Sequence, residues 1–194
     1  LPGVFCISTS YRNEPNPIPG RHDKIFPMFE FESKGGIEDM IELETELLDH
    51  MGFDLTNKVR ATYNQMCGAY KTELLEAEHE TMMWDNIGDV IFLTDFPLRS
   101  DPFWNMKQNG DTFNKVDVIL YGMETIGSAE RSCNITEMRD NFYSVSNGEY
   151  ASLLFNHFGR KRVEDELEEY FDLCMIPRFG GGIGVTRIMQ AIPD

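Results

Sequence analysis

Basic residues are scarce in this sequence. It contains 17 lysines and arginines against 33 aspartates and glutamates, which gives a formal net charge of -16. Binding a nucleic-acid backbone requires lysine and arginine to neutralise the phosphates, so this deficit disfavours a large nucleic-acid footprint within the segment. It leaves open binding through another domain or through a small basic patch.

Long apolar runs and closely spaced cysteines are also missing. No apolar stretch approaches the roughly 20 residues that a membrane span needs, and no signal peptide is visible. The four cysteines, Cys6, Cys67, Cys133 and Cys174, lie far apart without CxxC or zinc-site spacing. We therefore expect buried free thiols and a cytoplasmic protein that does not bind membranes.

The 194 residues are enough for one domain with a sizeable core, and their patterning predicts an α+β fold. Alternating side chains predict a strand over residues 4–14, a loop over 15–20 and an antiparallel return strand over 24–32. Further segments are predicted as buried strands (89–94 and 116–122) and as helices (36–51, 59–74, 162–171 and 183–192). Because hairpins and helices occur without a βαβ rhythm, we expect a mainly antiparallel sheet.

The first polar cluster lies on the predicted hairpin. Arginine binds phosphate well because its planar guanidinium donates two parallel hydrogen bonds. Arg12 would therefore contact an α-phosphate, and Arg21 and His22 the outer phosphates of a nucleotide. Glu14 would accept a hydrogen bond from the amino group of adenine, and Phe26 would stack on the purine. The alternative is an exposed hairpin with surface ion pairs, each worth about 0–1 kcal/mol.

The second cluster is a glycine run, residues 180–184, that leads into a predicted helix carrying Arg187. Glycines let a backbone approach a ligand closely, and a helix N-terminus favours negative charge. Arg187, about one turn into the helix, would reach a nucleotide beside Gly184. The alternative is a tight turn with a helix packed behind it, since the run lacks the GxGxxG spacing of a dinucleotide site.

The third cluster follows the apolar strand predicted at 116–122. Glu124 and Ser128 supply oxygen atoms, which Mg²⁺ prefers when it binds beside a phosphate. Arg131 would clamp a substrate carboxylate. The alternative is an ion pair that joins Arg131 to Glu124 or Glu130.

These three clusters, in this order, resemble the catalytic core of the class II aminoacyl-tRNA synthetases, in their aspartate/asparagine branch. The hairpin cluster resembles the second motif of that family, and residues 180–187 resemble its third. The first motif is absent and is expected to precede Leu1, so that residues 1–194 form one partial catalytic domain. The resemblance implies an antiparallel sheet flanked by helices, a homodimer, and ATP bound with Mg²⁺. It also implies attack of an amino-acid carboxylate on the α-phosphate, which yields an aminoacyl adenylate and pyrophosphate.

The resemblance also implies roles for individual residues. Arg12, Glu124 and Arg187 would be catalytic, because the arginines neutralise the phosphates and Glu124 holds the metal together with Ser128. On the substrate side, Arg131 would bind an oxygen-bearing side chain, so the substrate is aspartate or asparagine. Glu30 would face the substrate ammonium group, and two neighbours would complete that pocket, namely Met28 and Gly181.

Three positions depart from the pattern of the tRNA-ligating members. Phe179 follows Pro177-Arg178 where those members have Pro-His, Thr186 stands where they have an acidic residue, and Gly127 stands where they often have a serine. The ending of the third motif is more similar to ammonia-dependent asparagine synthetase, a stand-alone relative. Our first interpretation is therefore an aspartate-activating ligase that forms an amide with ammonia. The alternatives are the core of an aspartyl- or asparaginyl-tRNA synthetase and a non-catalytic regulatory paralogue.

Overall fold

An eight-stranded sheet forms the centre of the structure, a computed structural model that describes residues 2–13 and 15–193. Its strands are β1 (Gly3–Tyr11), β2 (Ile25–Lys34), β3 (Val59–Thr62), β4 (Val90–Pro97), β5 (Gln108–Asn109), β6 (Thr112–Leu120), β7 (Met123–Glu130) and β8 (Arg178–Gly184). They are ordered β1-β2-β8-β7-β6-β4-β3, with β5 paired to β6. Among the described strands only β3 and β4 run parallel, which confirms the predicted fold class.

Seven α-helices accompany the sheet in the described part of the chain. They are α1 (Ile37–His50), α2 (Tyr63–Tyr70), α3 (Ala77–Asn86), α4 (Ile135–Ser144), α5 (Glu149–Phe158), α6 (Arg160–Phe171) and α7 (Val185–Ala191). Two short 3-10 helices cover Leu98–Ser100 and Val145–Gly148. None of the helices described here is long and apolar enough to cross a membrane.

Two predicted elements differ from the structure. The helix predicted over 183–192 begins only at Val185, because the glycine run before it, whose alternative was a tight turn, belongs to strand β8. The segment predicted as one helix over 59–74 begins as the short strand β3, whose four residues are too few to show an alternating pattern. Helices α3, α4 and α5 were not predicted. Of the cysteines only Cys67 is buried, whereas the other three are exposed, so that expectation was wrong for Cys6, Cys133 and Cys174.

Alternation along the strands separates two apolar layers. On one face α1 contributes Met40 and Leu48 to a core that includes Val116, Val118 and Ile126 of β6 and β7. On the opposite face α2 and α3 pack over the other end of the sheet, against the inward residues Ile91, Leu93 and Ile119. Successive strand residues point to opposite faces, so each layer uses every second residue. The second layer covers β4 and β6 and leaves the face of β2, β8 and β7 for polar residues.

Helices α4, α5 and α6 form a separate cluster between β7 and β8. Trp104 is its centre, with its ring edge-on to those of Phe142, Tyr170 and Phe171 at centroid distances of 5.5–6.1 Å. Because this insertion joins the ends of two neighbouring strands, it adds a lobe without separating β7 from β8 in the sheet.

The glycines of β8 are required by close approach and not by an unusual backbone conformation. A Cβ atom on Gly181 would lie 2.6 Å from Cβ of Ser128 and 2.8 Å from the carbonyl oxygen of Gly127. On Gly182 it would lie 2.5 Å from Cε of Met28. Side chains from β2 and β7 therefore occupy the space above and below β8.

Glu44 is a carboxylic acid buried in the layer beneath β7. Its residue is 1% exposed, and neither carboxylate oxygen has a hydrogen-bond partner among the described residues. Burial raises the pKa of Glu44 from its usual 4.5 to about 8. The nearby hydroxyl of Ser128 opposes this rise, and the charge of Asp117 adds to it. Glu44 is therefore protonated in the folded protein at neutral pH.

Replacing Glu44 with glutamine should stabilise the protein progressively as the pH rises. The folded state keeps a proton that the unfolded chain loses above its lower pKa, so wild-type stability falls between pH 4.5 and about 8. The Glu44→Gln variant does not lose stability in this way. Its gain in free energy of unfolding over the wild type should reach on the order of 3 kcal/mol by pH 7. Urea unfolding from pH 5 to 8 measures it, with Glu46→Gln on the exposed side of α1 as the control. A difference that does not change with pH would contradict the assignment.

Candidate active site

Two adjoining cavities lie on the face of β2, β8 and β7. The first is lined by three arginines and by residues from β2, β7 and α7, among them Arg12, Arg21, Phe26, Gly184 and Arg187. The second is lined by charged residues of β2, β6 and β7 and by the glycines of β8, among them Glu30, Glu32, Lys115, Arg131 and Gly181. Four residues line both, namely Met28, Glu124, Gly127 and Gly182. The two cavities therefore share a wall.

Arg12 and Phe26 meet at the base of the hairpin. Arg12 follows the last residue of β1, and its backbone N–H donates to the carbonyl oxygen of Lys24 at 2.9 Å. Its guanidinium carbon lies 5.1 Å from the centroid of the Phe26 ring. The guanidinium therefore covers one face of the Phe26 ring, and a purine would stack on the other face. Glu14, predicted to accept from adenine, lies outside the described residues.

Arg21 lines the first cavity but already has a carboxylate partner. Its guanidinium forms an ion pair with Glu80 of α3 and donates to the carbonyl oxygen of Gly122 at 3.0 Å. His22 is oriented differently, because its ring Nδ1 accepts from the backbone N–H of Ile18 at 3.2 Å and holds the loop together. His22 is not among the described residues that line this cavity, so the structure does not place it beside the arginines.

Arg187 connects all three sequence clusters. One guanidinium nitrogen donates to the carbonyl oxygen of Glu124 at 2.6 Å, and another donates to that of Arg21 at 3.1 Å. The Glu124 carboxylate lies 4.0 Å away. Burial lowers the pKa of Arg187 from its usual value, and the charge of Glu124 opposes that change. Arginine nevertheless stays protonated in proteins, so the cavity keeps this positive charge.

Glu124 shares a face with Asp117 of β6. The position that a Cβ atom on Gly127 would occupy is 2.9 Å from Oε1 of Glu124 and 3.6 Å from Oδ1 of Asp117. Asp117 is 9% exposed, and burial raises its pKa while its ion pair with Lys115 opposes the rise. The described residues contain no group of three or more histidine, cysteine or acidic side chains placed to hold a metal ion. The arrangement is thus a pair of carboxylates across a glycine.

Ser128 does not join Glu124, which corrects the predicted metal pair. Gly127 and Ser128 are neighbours in a strand and point to opposite faces, so Ser128 turns toward α1. Its residue is 3% exposed, and its hydroxyl donates to the carbonyl oxygen of Val116 at 3.3 Å. Glu130 lies on that same far face, where its carboxylate accepts from Lys107 and Asn114.

Arg131 pairs with Glu32, a residue that the sequence analysis missed. The distance from Nε of Arg131 to Oε1 of Glu32 is 2.8 Å, and Nε of Arg178 lies 3.6 Å from the other oxygen. The alternative, in which Arg131 forms an ion pair with Glu124 or Glu130, is therefore wrong, because the partner is Glu32. Glu32 could have been found by extending the alternation of Phe26, Met28 and Glu30 by one step along β2.

The remaining substrate-side residues lie in the second cavity. Glu30 is exposed on β2, with Oε2 3.9 Å from Sγ of Cys6. Met28 lies over Gly182 and forms part of the wall between the cavities. Gly181 contributes only backbone atoms to the cavity. A Cβ atom at this position would point toward Ser128.

Two other charged residues escaped the sequence analysis. Asp117 was recognisable in principle, because an acidic residue within a buried apolar strand is unusual unless it is paired. Glu80 gave no such signal, since it lies in a helix that was not predicted and its partners are 59 and 44 residues away in sequence.

Comparison with known proteins agrees with this fold. Residues 1–194 match the family described as tRNA synthetases class II (D, K and N). An asparagine–tRNA ligase of Rhodopirellula baltica is 27% identical over 128 residues, which cover 61% of this chain and 22% of that protein. The chain thus spans about a fifth of the length of this curated relative.

Solved structures share the architecture. Asparaginyl-tRNA synthetase of Entamoeba histolytica, in complex with asparaginyl-adenylate, matches with a TM-score of 0.77 and 20% identity over 98% of this chain and 49% of that one. Aspartyl tRNA synthetase of the same organism matches with a TM-score of 0.74 and 17% identity over 98% and 44%. These likenesses confirm the expected fold. Because the family match extends over residues 1–194, the chain belongs to the class II tRNA synthetases of the aspartate, lysine and asparagine group.

Proposed function

We propose that residues 1–194 are the catalytic core of an enzyme that activates aspartate or asparagine with ATP and transfers it to tRNA. The observation that carries this proposal is the pair of adjoining cavities, one rich in arginine and one with Arg131 among carboxylates. An amino acid in the second cavity would place its carboxylate beside the α-phosphate of a nucleotide in the first. Holding two reactants in this geometry, and neutralising the charge that develops, is the main work of such a site.

On the nucleotide side, Arg12 and Arg187 would neutralise the phosphates as pyrophosphate leaves. Arg21 would bind the outer phosphates with the donors that its contacts leave free. Phe26 would stack on adenine with the ring face that Arg12 leaves open, Glu14 would accept from the amino group of adenine, and Gly184 would let the backbone approach the nucleotide. The arginines support this assignment because all three line one cavity.

On the amino-acid side, Arg131 would bind the side-chain oxygen of aspartate or asparagine. Glu30 would face the ammonium group, while Met28 and Gly181 would form the wall and the floor. Arg131 is 17% exposed in its side chain and is held by Glu32, so its direction is set before the substrate arrives. A donor whose direction is already fixed loses less conformational entropy when the substrate binds.

For Mg²⁺ we propose Glu124 with Asp117 in place of Glu124 with Ser128. One oxygen of each carboxylate lies near the open position at Gly127, and Mg²⁺ would displace Lys115 from Oδ1 of Asp117. Mg²⁺ usually takes one or two carboxylates together with phosphate oxygens and water, so two ligands suffice. When bound, the ion would neutralise phosphate charge, and the empty position at Gly127 would leave it room.

Two acceptors for the activated amino acid have separate support. The relatives described above are tRNA ligases, and they support transfer to tRNA better than our first interpretation, amide formation with ammonia. Gly127, Phe179, Thr186 and the net charge of -16 favour ammonia. A non-catalytic paralogue has the least support, because Arg12, Glu124 and Arg187 are brought to a single cavity.

The family resemblance also leads us to propose a homodimer. Edge strand β1 exposes Phe5 and Ile7 on one of its faces, with 72% and 73% of each residue accessible. Exposed apolar patches of this kind are typical of surfaces that become buried in an assembly.

The acceptor can be identified with the full-length protein, ATP, Mg²⁺ and either aspartate or asparagine. AMP that forms only with tRNA, together with aminoacyl-tRNA, would support the proposal. AMP and asparagine formed from aspartate and ammonia without tRNA would replace it with the amide-forming ligase. No AMP with either acceptor would overturn both.

Replacing Arg187 with alanine should lower ATP–pyrophosphate exchange by a factor on the order of 100 or more. The variant loses a cationic donor in the cavity, and such donors are worth about this much when they stabilise transition-state charge. Arg60→Ala, which removes an exposed ion pair with Glu38, is the control and should leave the exchange rate unchanged. Normal exchange by the Arg187 variant would remove that residue from the site.

Replacing Arg131 with alanine should raise KM for the amino acid by roughly 10- to 100-fold and change KM for ATP little. A charged hydrogen bond to the substrate would be lost, and such bonds contribute about 1.5–3 kcal/mol. Steady-state exchange at varied concentrations of each substrate measures both constants, with Arg139→Ala in an exposed ion pair as the control. Equal rises in the two constants would show that Arg131 does not read the side chain.

A further inference from the structure

Glu80 lies on helix α3, which is not among the described elements that line the first cavity, and it contacts two residues that do line it, Arg21 and Glu124. The carboxylate forms an ion pair with Arg21, and the two side chains are 19% and 12% exposed. The same oxygen, Oε2, accepts the backbone N–H of Glu124 at 2.6 Å. One atom of α3 therefore contacts both the loop that joins β1 to β2 and the start of β7.

These bonds belong to a larger set that fixes the loop. Arg21 donates to the carbonyl oxygen of Gly122, in the turn between β6 and β7, at 3.0 Å. Arg187 of α7 donates to the carbonyl oxygen of Arg21 at 3.1 Å. The loop residue that faces the cavity is thus held through its side chain by α3 and the turn, and through its backbone by α7.

Helix α3 is itself firmly seated. Gly122 has φ of +79°, and a Cβ atom there would lie 3.1 Å from Cα of Thr81 and 3.3 Å from Cβ of Trp84. The indole Nε1 of Trp84 donates to the carboxylate of Asp89 at 2.8 Å. Because the helix packs directly on the turn, Glu80 is a fixed anchor and not a flexible surface side chain.

We propose that Glu80 is a positioning residue for the outer phosphates of ATP, an inference that rests on the proposed function. A guanidinium has five N–H donors, and the two contacts of Arg21 leave three for a phosphate. A loop anchored in this way does not have to be ordered when the nucleotide binds. Glu80 touches no reacting atom and acts through Arg21.

The Glu80→Gln variant of the full-length protein tests this role. Glutamine keeps an oxygen that can accept from the N–H of Glu124 but loses the ion pair with Arg21. The dissociation constant for ATP should rise about 10-fold, because a charge-assisted hydrogen bond is replaced by a neutral one. The constant for AMP, which lacks the outer phosphates, should stay within about twofold, a difference that general loosening of the site would not produce. Glu78→Gln makes the same charge change on an exposed position of α3 and should change neither constant.

A double variant with Arg21→Gln shows whether Glu80 acts through Arg21. Adding Glu80→Gln to Arg21→Gln should produce no further loss of ATP affinity, because coupled residues are not additive. Three results would overturn the inference: unchanged ATP affinity in Glu80→Gln, equal weakening of ATP and AMP, or additive losses in the double variant. Failure of the unmodified protein to bind ATP would instead remove the proposed function, and this inference with it.

Discussion

The lack of side chains along the middle of β8 is the constraint on which the site depends. Gly181 and Gly182 lie between β2 and β7, and the space that their side chains would fill is taken by Ser128 below and Met28 above. Larger residues would push β8 away from its neighbours, or would displace the side chains that form the wall between the two cavities. The glycines therefore allow the close packing of the sheet, and this packing in turn shapes the cavities that a ligand would occupy.

The charged residues around the cavities are held mainly by one another. Arg21 has Glu80, Arg131 has Glu32 and Lys115 has Asp117, so most of the charge is paired before any ligand arrives. Pairing matters because an isolated charge in a partly buried site is costly, and a paired one has a defined direction. Glu44, on the other side of the sheet, has no such partner among the described residues and stays protonated instead.

The sequence predicted elements well where the periodicity was long. The hairpin, α1 and the antiparallel sheet were predicted, because amphipathic patterns over ten or more residues distinguish a helix from a strand. The short strand β3 and the glycine strand β8 were not, since neither carries a readable pattern. Among the site residues, Arg12, Glu124 and Arg187 were predicted as a group, and the structure brings them to one cavity. Ser128 was placed beside Glu124 because plain alternation puts residues 124 and 128 on one face of a strand. In the structure Val118 pairs with Ile126 and Ile119 with Glu124, and this bulge in β7 reverses the alternation.

By itself the sequence determined the family motifs, the fold class and the charge types that a nucleotide and an amino acid require. These properties depend on residue identity and on local spacing, which can be read along the chain. Only the tertiary structure decided which partner each charge has: Glu80 for Arg21, Glu32 for Arg131, and Asp117 with Glu124 across Gly127. The physical reason is that strand pairing joins residues distant in sequence, such as Met28 and Gly184, and a shift of one residue reverses the face to which a side chain points.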